Sequence, residues 1–451
     1  MNFYSSTNLN SKNMKQYAII IPFLVFSNFA FSQDFEQSFV SKDIENFWEA
    51  YDKITTTKDS LLQQKYLKEL YLDKATEGLK SLILVRNYSE KEFLDYINNC
   101  PNFWNSIKNN TLNVSELYPE IESNIQKLKV YYPDLKQRPI YFLIGAFRTG
   151  GTIHENKVLI GSEISLADEK TVIDELPEWR KPFFVEYKNP IKGIALLCTH
   201  EYIHTQQKEF VDNLLSYCLY EGVAEFVSCK VTGKASNAPA ITFGKANESE
   251  VIKQFVKDLF TGENIYNWLW GENSNHLKVR DLGYYIGYEI AERHFNTSTD
   301  KKKAIKELIE LDYTNENEVE KMVDGTNFLP KTLKDLYTEY QNKRPKIIAI
   351  KQFKNGSQKV NPKTSQITID FSEPMDDCCR GFDFGDMGQE HSIQIKNIVG
   401  WSVDKKSLTL EINELKPNWN YQLIVKNFRG ISGFRLIDYQ LAFKTKKSNN
   451  K

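Results

Sequence analysis

The spacing of apolar residues divides the chain into stretches of different predicted structure. Over residues 34–128 and again over 190–340, apolar residues recur at intervals of three and four, as in DIENFWEAYDKI, which predicts amphipathic helices. Between these stretches, RPIYFLIGAF and KVLIGSEISL are short apolar runs that are typical of strands. The turn-rich RTGGTIHEN separates them, so we expect a small sheet with a hairpin-like connection that contains His154 in a loop.

A different pattern begins after Lys343. KIIAI, SQITIDF, SIQIKNI, SLTLEI, YQLIVKN and QLAFKT are short alternating strands separated by Gly, Pro, Asn and Asp, which is the pattern of a β-sandwich. The predicted fold class is therefore α+β. A mostly helical domain with a small sheet occupies residues 33–344, and an all-β domain occupies residues 345–447.

The N-terminal segment has the pattern of an export signal. Lys15 is followed by an apolar run at Ala18–Phe26 and then by small residues, which predicts a secretory signal at residues 1–32 that is cleaved before Gln33. Residues 1–13 are polar and precede a second methionine, so we interpret them as an upstream extension. The apolar run is well short of the ~20 residues that a spanning helix needs. We therefore expect a bacterial protein that is secreted, periplasmic or on the cell surface, with no membrane span in its mature form.

The balance of charges bears on the binding partners of the chain, and the number of cysteines bears on its disulfides. Lys and Arg number 58 against 59 for Asp and Glu, so no net field attracts the chain to nucleic acid or to an anionic membrane. Six cysteines are too few for a disulfide framework in a chain of 451 residues, and we expect most of them to be buried. Cys378 and Cys379 are adjacent, which permits either a vicinal disulfide or two free thiols.

The segment CTHEYIHTQQ, residues 198–207, places His200 and His204 four apart in a chain that has only six histidines. The segment follows Pro190 and its apolar residues recur with helical spacing, so it is predicted to be a helix. Residues four apart lie on one face of a helix, so both imidazoles can bind one zinc ion while Glu201 flanks the same side. The alternative is a pair of surface histidines, which gives no reason for the neighbouring glutamate.

A catalytic zinc site usually has three protein ligands and one open position, so the motif needs a further residue. NLLSYCLYEGVAEFVSCKV is predicted to be a second helix, with Cys218, Glu221 and Glu225 on one face. Glu221 follows His204 by 17 positions, an interval that allows a turn and an antiparallel return. Gly222 would let this helix approach the HEYIH helix closely at the metal.

The order HEYIH then EGVAEF resembles the gluzincin metallopeptidases, whose HExxH helix supplies two zinc ligands and a general base, and whose next helix supplies a glutamate ligand. The resemblance implies that His200, His204 and Glu221 hold Zn2+, with Glu201 as the general base. Glu221 matches the ligand of an EG-x-A sequence that several such families contain. Glu225, one turn further along, is then suited to orienting one of the histidines.

The resemblance extends beyond the motif. IGSEISL before it and DLGYYIGYEIAERHF after it are similar to exported zinc peptidases related to a gliding-motility lipoprotein, over about residues 34–340. The C-terminal stretch is similar to bacterial Ig-like domains of surface and secreted proteins. These resemblances imply a zincin-like metallopeptidase domain at residues 33–344. They also imply an Ig-like domain at 345–447, with a role in spacing or in binding an extracellular partner.

The implied function is hydrolysis of peptide or protein substrates, in which Glu201 takes a proton from the attacking water and carries it to the leaving amine. The aminopeptidases of the group that the chain resembles use a GxMEN stretch to bind a free amino terminus. No such stretch is present here, so the resemblance favours an endopeptidase or oligopeptidase. The alternative is an exported binding or scaffold protein on a peptidase fold, with zinc structural or absent and Cys218 as the candidate that closes the fourth position. The residues leave open which side chain stabilises the developing oxyanion, and the candidates are Tyr284, Tyr285, Arg280 and His276.

Overall fold

The computed structural model of the chain describes residues 38–187, 189–261, 265–271 and 273–447. The predicted export signal and its upstream extension lie outside these residues. The fold class is confirmed at the level of a mixed helical and sheet structure that ends in antiparallel sheets. The zincin-like and Ig-like assignments, with their domain boundaries, stay predictions.

Six helices form the first part of the described chain, and their starts follow ordinary capping chemistry. Asp59 accepts the first backbone N–H groups of the second helix, and Ser89 and Glu92 form a reciprocal capping box at the fourth. Aromatic side chains such as Phe47 and Trp104 fill the space between them. The helices are α1 (Lys42–Ile54), α2 (Ser60–Leu67), α3 (Glu77–Arg86), α4 (Glu90–Asn99), α5 (Pro101–Leu112) and α6 (Tyr118–Tyr131).

A four-stranded sheet packs against this helical layer. Its strands are β1 (Phe39–Val40), β2 (Ile140–Leu143), β3 (Gly151–His154) and β4 (Lys157–Gly161), in the order β1-β2-β4-β3. The predicted hairpin between the two apolar runs is wrong, because those runs are β2 and β4, which pair in parallel. The segment interpreted as turns contains β3, which pairs antiparallel with β4 and ends at His154. The glycines and threonines of this segment are residues that often occur in turns, which explains the wrong prediction. In the structure they belong to an edge strand, and its glycine allows close packing against a neighbouring side chain.

Eleven helices follow the sheet, and α9, α10 and α14 lie together at the centre of this region. The helices are α7 (Ser162–Ser165), α8 (Lys181–Tyr187), α9 (Ile194–His204), α10 (Leu214–Thr232), α11 (Pro239–Ala246), α12 (Glu248–Asp258), α13 (Ile265–Trp268), α14 (Leu282–Thr297), α15 (Lys301–Ile309), α16 (Glu316–Gly325) and α17 (Leu333–Lys343). A Cβ atom on Gly222 would lie 2.2 Å from the carbonyl carbon of Gly287. Gly222 therefore allows α10 to approach α14, and its predicted role in the approach to the HEYIH helix is wrong.

The last hundred residues form antiparallel sheets around a core of their own. The strands are β5 (Ile347–Ile350), β6 (Gln366–Phe371), β7 (Met375–Asp376), β8 (Gly381–Asp383), β9 (Ile395–Trp401), β10 (Ser407–Ile412), β11 (Asn420–Lys426), β12 (Arg429–Gly430) and β13 (Tyr439–Lys444). One sheet has the order β5-β6-β10-β9 and another has the order β13-β11-β8. Ile369 and Leu410 of the first sheet share a buried cluster with Val425 and Phe443 of the second. Two layers of strands therefore enclose one apolar core.

The structure also bears on the predictions about disulfides and about membrane spans. All six cysteines are free, and four of them are buried as expected, whereas Cys378 is exposed. Cys378 and Cys379 are therefore two thiols in this structure. No helix within the described ranges is long and apolar enough to cross a bilayer.

Candidate metal centre

The HEYIH motif lies at the C-terminal end of α9. A single turn of 3-10 helix at Pro190–Gly193 leads into α9, where Pro190 supplies the fixed φ that suits a helix start. Helical spacing places His200 and His204 one above the other, with their Nε2 atoms 3.0 Å apart. Both rings are buried, so the motif faces the protein interior and not solvent.

Helix α10 brings a carboxylate to the same point. Glu221 Oε2 lies 3.4 Å from the Nε2 atom of His200 and 3.3 Å from that of His204. All three residues are buried and form one group whose ligand atoms lie within 4.8 Å of one another. The three candidate metal ligands from the sequence therefore converge in the structure.

The remaining ring nitrogens fix the tautomers of the two histidines. His200 Nδ1 lies 2.9 Å from Glu225 Oε2, and His204 Nδ1 lies 2.7 Å from Gln207 Oε1. Both partners accept hydrogen bonds, so each Nδ1 donates and each Nε2 of a neutral ring presents a lone pair. Ser236 in turn donates to Glu225. Two imidazole lone pairs and a carboxylate oxygen then face one another, an arrangement that only a cation between them stabilises.

The electrostatics of the centre also favour a positive charge. Burial disfavours a charged imidazole at His200, but the hydrogen bonds that the ring donates to the carboxylates of Glu221 and Glu225 raise its pKa to about 10. Burial opposes the ionised form of Glu221, but the charges and hydrogen bonds of the two histidines hold its pKa far below the usual range. The carboxylates thus stay ionised and attract either a proton or a metal ion.

The donor set fits zinc. Two ligands at about 2.0–2.1 Å from a tetrahedral zinc ion lie about 3.3 Å apart, which matches the spacing of the three atoms here. Cys218 does not join the group, because its Sγ points towards α14, where a Cβ on Gly283 would lie 3.0 Å from it. Three protein ligands are typical of catalytic sites, whereas structural sites usually have four.

Glu201 lies beside the three donors and under the edge strand. A Cβ atom on Gly151 would lie 2.7 Å from Glu201 Oε1, so only glycine lets β3 pass this close to the carboxylate. Burial raises the pKa of Glu201, and the charges of His204, His200 and Arg86 oppose that effect. A buried carboxylate with a raised pKa is suited to accepting and returning a proton near neutral pH.

Of the four oxyanion-stabilising candidates, the structure brings Tyr284 to the centre. Its ring stacks on His200 with 6.1 Å between centroids and an angle of 22° between planes, and burial together with the nearby carboxylate of Glu221 raises the pKa of its hydroxyl. The hydroxyl of Tyr285 instead donates to Glu248 at 2.9 Å, on another face of α14.

The other two candidates are further from the donors. His276 Nε2 pairs with Glu250 at 2.9 Å, and both side chains are more than half exposed. Arg280 Nε donates to Asp281 at 2.8 Å, and Arg280 lines the cavity that opens from the centre without joining the donor group. Neither residue reaches the three ligand atoms.

The structure also adds residues that the sequence did not indicate. Gln207 orients His204, and the ring of Tyr220 stacks on His204 at 4.3 Å. Buried Glu163 accepts the backbone N–H groups of Gly145 and Phe147, which fixes the start of the connection from β2 to β3. Gln207 lies three positions after His204, a spacing that could have pointed to it, whereas Glu163 has no sequence signal of this kind.

Two cavities meet at the centre. The larger has a volume of about 740 Å³ and includes Glu201, His204 and Glu221 in its wall. The smaller has a volume of about 250 Å³ and includes His200 and Glu201. Glu201 and Tyr284 line both cavities, so the two cavities adjoin at the centre.

Comparison with known families supports a metal-dependent class. Residues 181–315 match the family described as Predicted Zn-dependent protease (DUF2268). The match covers less than a third of the chain, and it includes α9, α10 and α14, which carry the residues of the centre. No curated protein sequence matches the chain.

The solved structures that match the chain share little sequence or structure with it. A fragment of the surface layer protein SbsC, domains 1–6, is 13% identical, has a TM-score of 0.18 and covers 59% of this chain and 41% of its own. Residues 31–844 of the S-layer protein rSbsC give 9% identity, a TM-score of 0.19 and coverages of 90% and 45%. The chain thus spans less than half the length of these two proteins. TM-scores this low establish no common fold.

Proposed function

We propose that the chain is an exported zinc metallopeptidase that hydrolyses peptide bonds within peptide or protein substrates. The observation that carries this proposal is the convergence of three buried lone-pair donors beside a buried carboxylate, where two cavities adjoin. The family match over residues 181–315 supports the same class.

In this proposal His200, His204 and Glu221 hold the zinc ion. Bound there, zinc would supply a Lewis acid that polarises water and a peptide carbonyl. Glu201 accepts the proton of the attacking water and returns it to the leaving amine, a role that suits its raised pKa. Tyr284 donates a hydrogen bond to the developing oxyanion, because its ring is fixed against His200 and its hydroxyl lies near the candidate ligands.

Strand β3 is suited to aligning an extended substrate. It is the last strand of its sheet in the described chain, and β4 pairs with one of its two sides only. Its other backbone groups can pair with a peptide, and Gly151 holds this edge against Glu201. An extended peptide on β3 would therefore run past the general base, as an endopeptidase or oligopeptidase requires.

The remaining parts of the proposal concern the rest of the chain. Residues 33–344 form the zincin-like catalytic domain, and residues 345–447 form an Ig-like domain that binds an extracellular partner or acts as a spacer. The support for export is the signal pattern in the sequence.

Metal analysis and a peptide-library assay test the function together. We expect about one zinc per chain and cleavage by the wild-type protein, and we expect Glu201→Gln to retain zinc and lose cleavage by a factor of at least about 100. Glu414→Gln, at an exposed glutamate in the connection between β10 and β11, is the matched control and should change neither. Undiminished turnover in Glu201→Gln would overturn the mechanism, and a zinc-free, inactive wild-type protein would favour the scaffold alternative.

A further inference from the structure

The wall of the larger cavity is rich in arginine. Four arginines line it, and two of them are neutralised by carboxylates. Arg148 pairs with Glu92, and Arg280 Nε donates to Asp281 at 2.8 Å. In these two pairs the carboxylate compensates the charge of the guanidinium, so we do not expect Arg148 or Arg280 to attract a further anion. The other two arginines are Arg86 and Arg180.

Arg86 and Arg180 have no carboxylate within ion-pair distance among the residues that the structure describes. Arg86 Nη2 donates only to the hydroxyl of Thr149, at 3.2 Å. The guanidinium of Arg180 lies over the ring of Trp179, 3.9 Å from its centroid. The Nε atoms of both arginines are buried and have no hydrogen-bond acceptor. Each therefore holds donors that folding has removed from water without providing an acceptor.

A carboxylate is the ligand that such groups favour. The planar guanidinium matches a carboxylate with two parallel hydrogen bonds, and desolvation strengthens the attraction. Trp179, Phe210 and Trp270 also line this cavity and are 66%, 40% and 45% exposed. Exposed aromatic side chains around a charged cavity are typical of a binding surface.

The opposite chamber has a different chemistry. Most of the exposed wall of the smaller cavity is apolar, with Leu196, Leu197 and Ala238 in its lining. The lining also includes the carboxylates of Glu225 and Asp281, and no lysine or arginine among the described residues. Glu201 and Tyr284 lie between the two chambers and belong to both walls. A substrate held across Glu201 would therefore place one side in a cationic chamber and the other in an apolar one.

We propose that the cleft selects peptides that present a carboxylate to Arg86 and Arg180 on one side of the scissile bond and an apolar residue on the other. The carboxylate comes either from an Asp or Glu side chain or from the peptide's own C-terminus. This inference rests on the proposed peptidase function, but recognition of the carboxylate is a binding event that does not require cleavage.

Matched peptides test the selection. Four fluorescent peptides of one sequence carry Asp or Asn beside an apolar residue, each with a free or an amidated C-terminus. Their dissociation constants are measured by anisotropy on full-length Glu201→Gln, and kcat/KM is measured on the wild-type protein. We expect the Asp-to-Asn change or the amidation to weaken binding by about tenfold or more, since charge-assisted hydrogen bonds are lost. The change that has this effect identifies the source of the carboxylate.

Variants assign the effect to the two arginines. In Arg86→Gln and Arg180→Gln we expect the preference for the acidic peptide to fall to about threefold or less, through a higher KM for that peptide. The preference is the ratio of kcat/KM for the acidic and the neutral peptide, so an effect common to both peptides, such as a further rise in the pKa of Glu201 when the charge of Arg86 is lost, cancels. Arg380→Gln, at an exposed arginine in the connection between β7 and β8, is the matched control and should retain the full preference. Because the peptide series uses the unaltered arginines, the proposal stays testable even if a variant fails to fold.

The outcomes separate this inference from the proposed function. Equal binding and cleavage of all four peptides would overturn it while leaving the peptidase function intact. A loss of cleavage that is equal for acidic and neutral peptides in both arginine variants would also overturn it, because it would show a structural role. A preference in binding without cleavage by the wild-type protein would support the carboxylate site and contradict the peptidase function.

Discussion

At the scale of single residues, Glu221 and Glu225 lie one turn apart on α10 but meet different atoms of the histidines. Glu221 faces both Nε2 atoms, whereas Glu225 accepts the Nδ1–H of His200. Helical spacing alone puts both glutamates on one face of α10. Which glutamate is the candidate metal ligand and which is the candidate positioning residue depends on where α9 lies, and no local pattern determines that.

This geometry predicts different losses of zinc affinity. Glu221→Ala should weaken zinc binding by more than about 100-fold, because it removes a ligand atom. Glu225→Ala should cost about 10 to 100-fold, because His200 loses the partner that orients its ring. Glu225→Gln retains an acceptor and should lose less than the alanine variant. Competition with a chromogenic chelator measures all three, and a larger loss in Glu225→Ala than in Glu221→Ala would reverse the two roles.

At the scale of elements, the crossing of α10 and α14 positions the centre. Gly222 and Gly287 bring the two backbones into contact, and a Cβ on Gly287 would lie 1.8 Å from the carbonyl oxygen of Cys218. Glu221 projects from α10 and Tyr284 from α14 near this contact. The separation of the two helices therefore sets the distance between a candidate ligand and the candidate oxyanion donor.

Gly287→Ala should force these helices apart. Because the clash is with backbone, we expect a loss of about 3 kcal/mol in the free energy of unfolding, the upper end of what overpacking usually costs, together with weaker zinc binding. Gly325→Ala is the matched control. Gly325 is the last residue of α16, and a Cβ atom there would have no packing neighbour within 4 Å. The control should be neutral or stabilise by about 0.5–1 kcal/mol. Urea unfolding measures both, and equal stability of the two variants would contradict the importance of the crossing.

The elements also show which parts of the structure the sequence could predict. Periodicity places α9 and α10 correctly, because their apolar positions and their flanking Pro190 and Asn213 are local features. Periodicity fails at β3, because Gly150 and Gly151 have the sequence pattern of a turn. In the structure Gly151 is required for a different reason, which is the close approach of β3 to Glu201. Periodicity also misses the arginine wall, because those residues come from distant segments that only the tertiary fold brings together.

At the scale of the whole molecule, the C-terminal sheets contact the helical part through a short junction. Arg344, directly after α17, donates to the carbonyls of Arg435 and Leu436, and Tyr340 packs on Phe434 with 5.8 Å between ring centroids. The strands have their own buried core, and the residues that line the two cavities all come from the segment before α15. The junction therefore joins two parts without contributing to the cleft.

A chain that ends at Lys343 should for this reason fold, bind zinc and cleave small peptides with kcat/KM within about twofold of the full-length protein. Removal of the junction exposes Tyr340 but leaves every residue of the centre and of the arginine wall in place. Binding to a large extracellular partner is what the truncation should reduce. Zinc content, circular dichroism and peptide cleavage of the two chains are compared side by side. A truncated protein that is soluble, folded and zinc-loaded but inactive on small peptides would show that the C-terminal sheets take part in the active site.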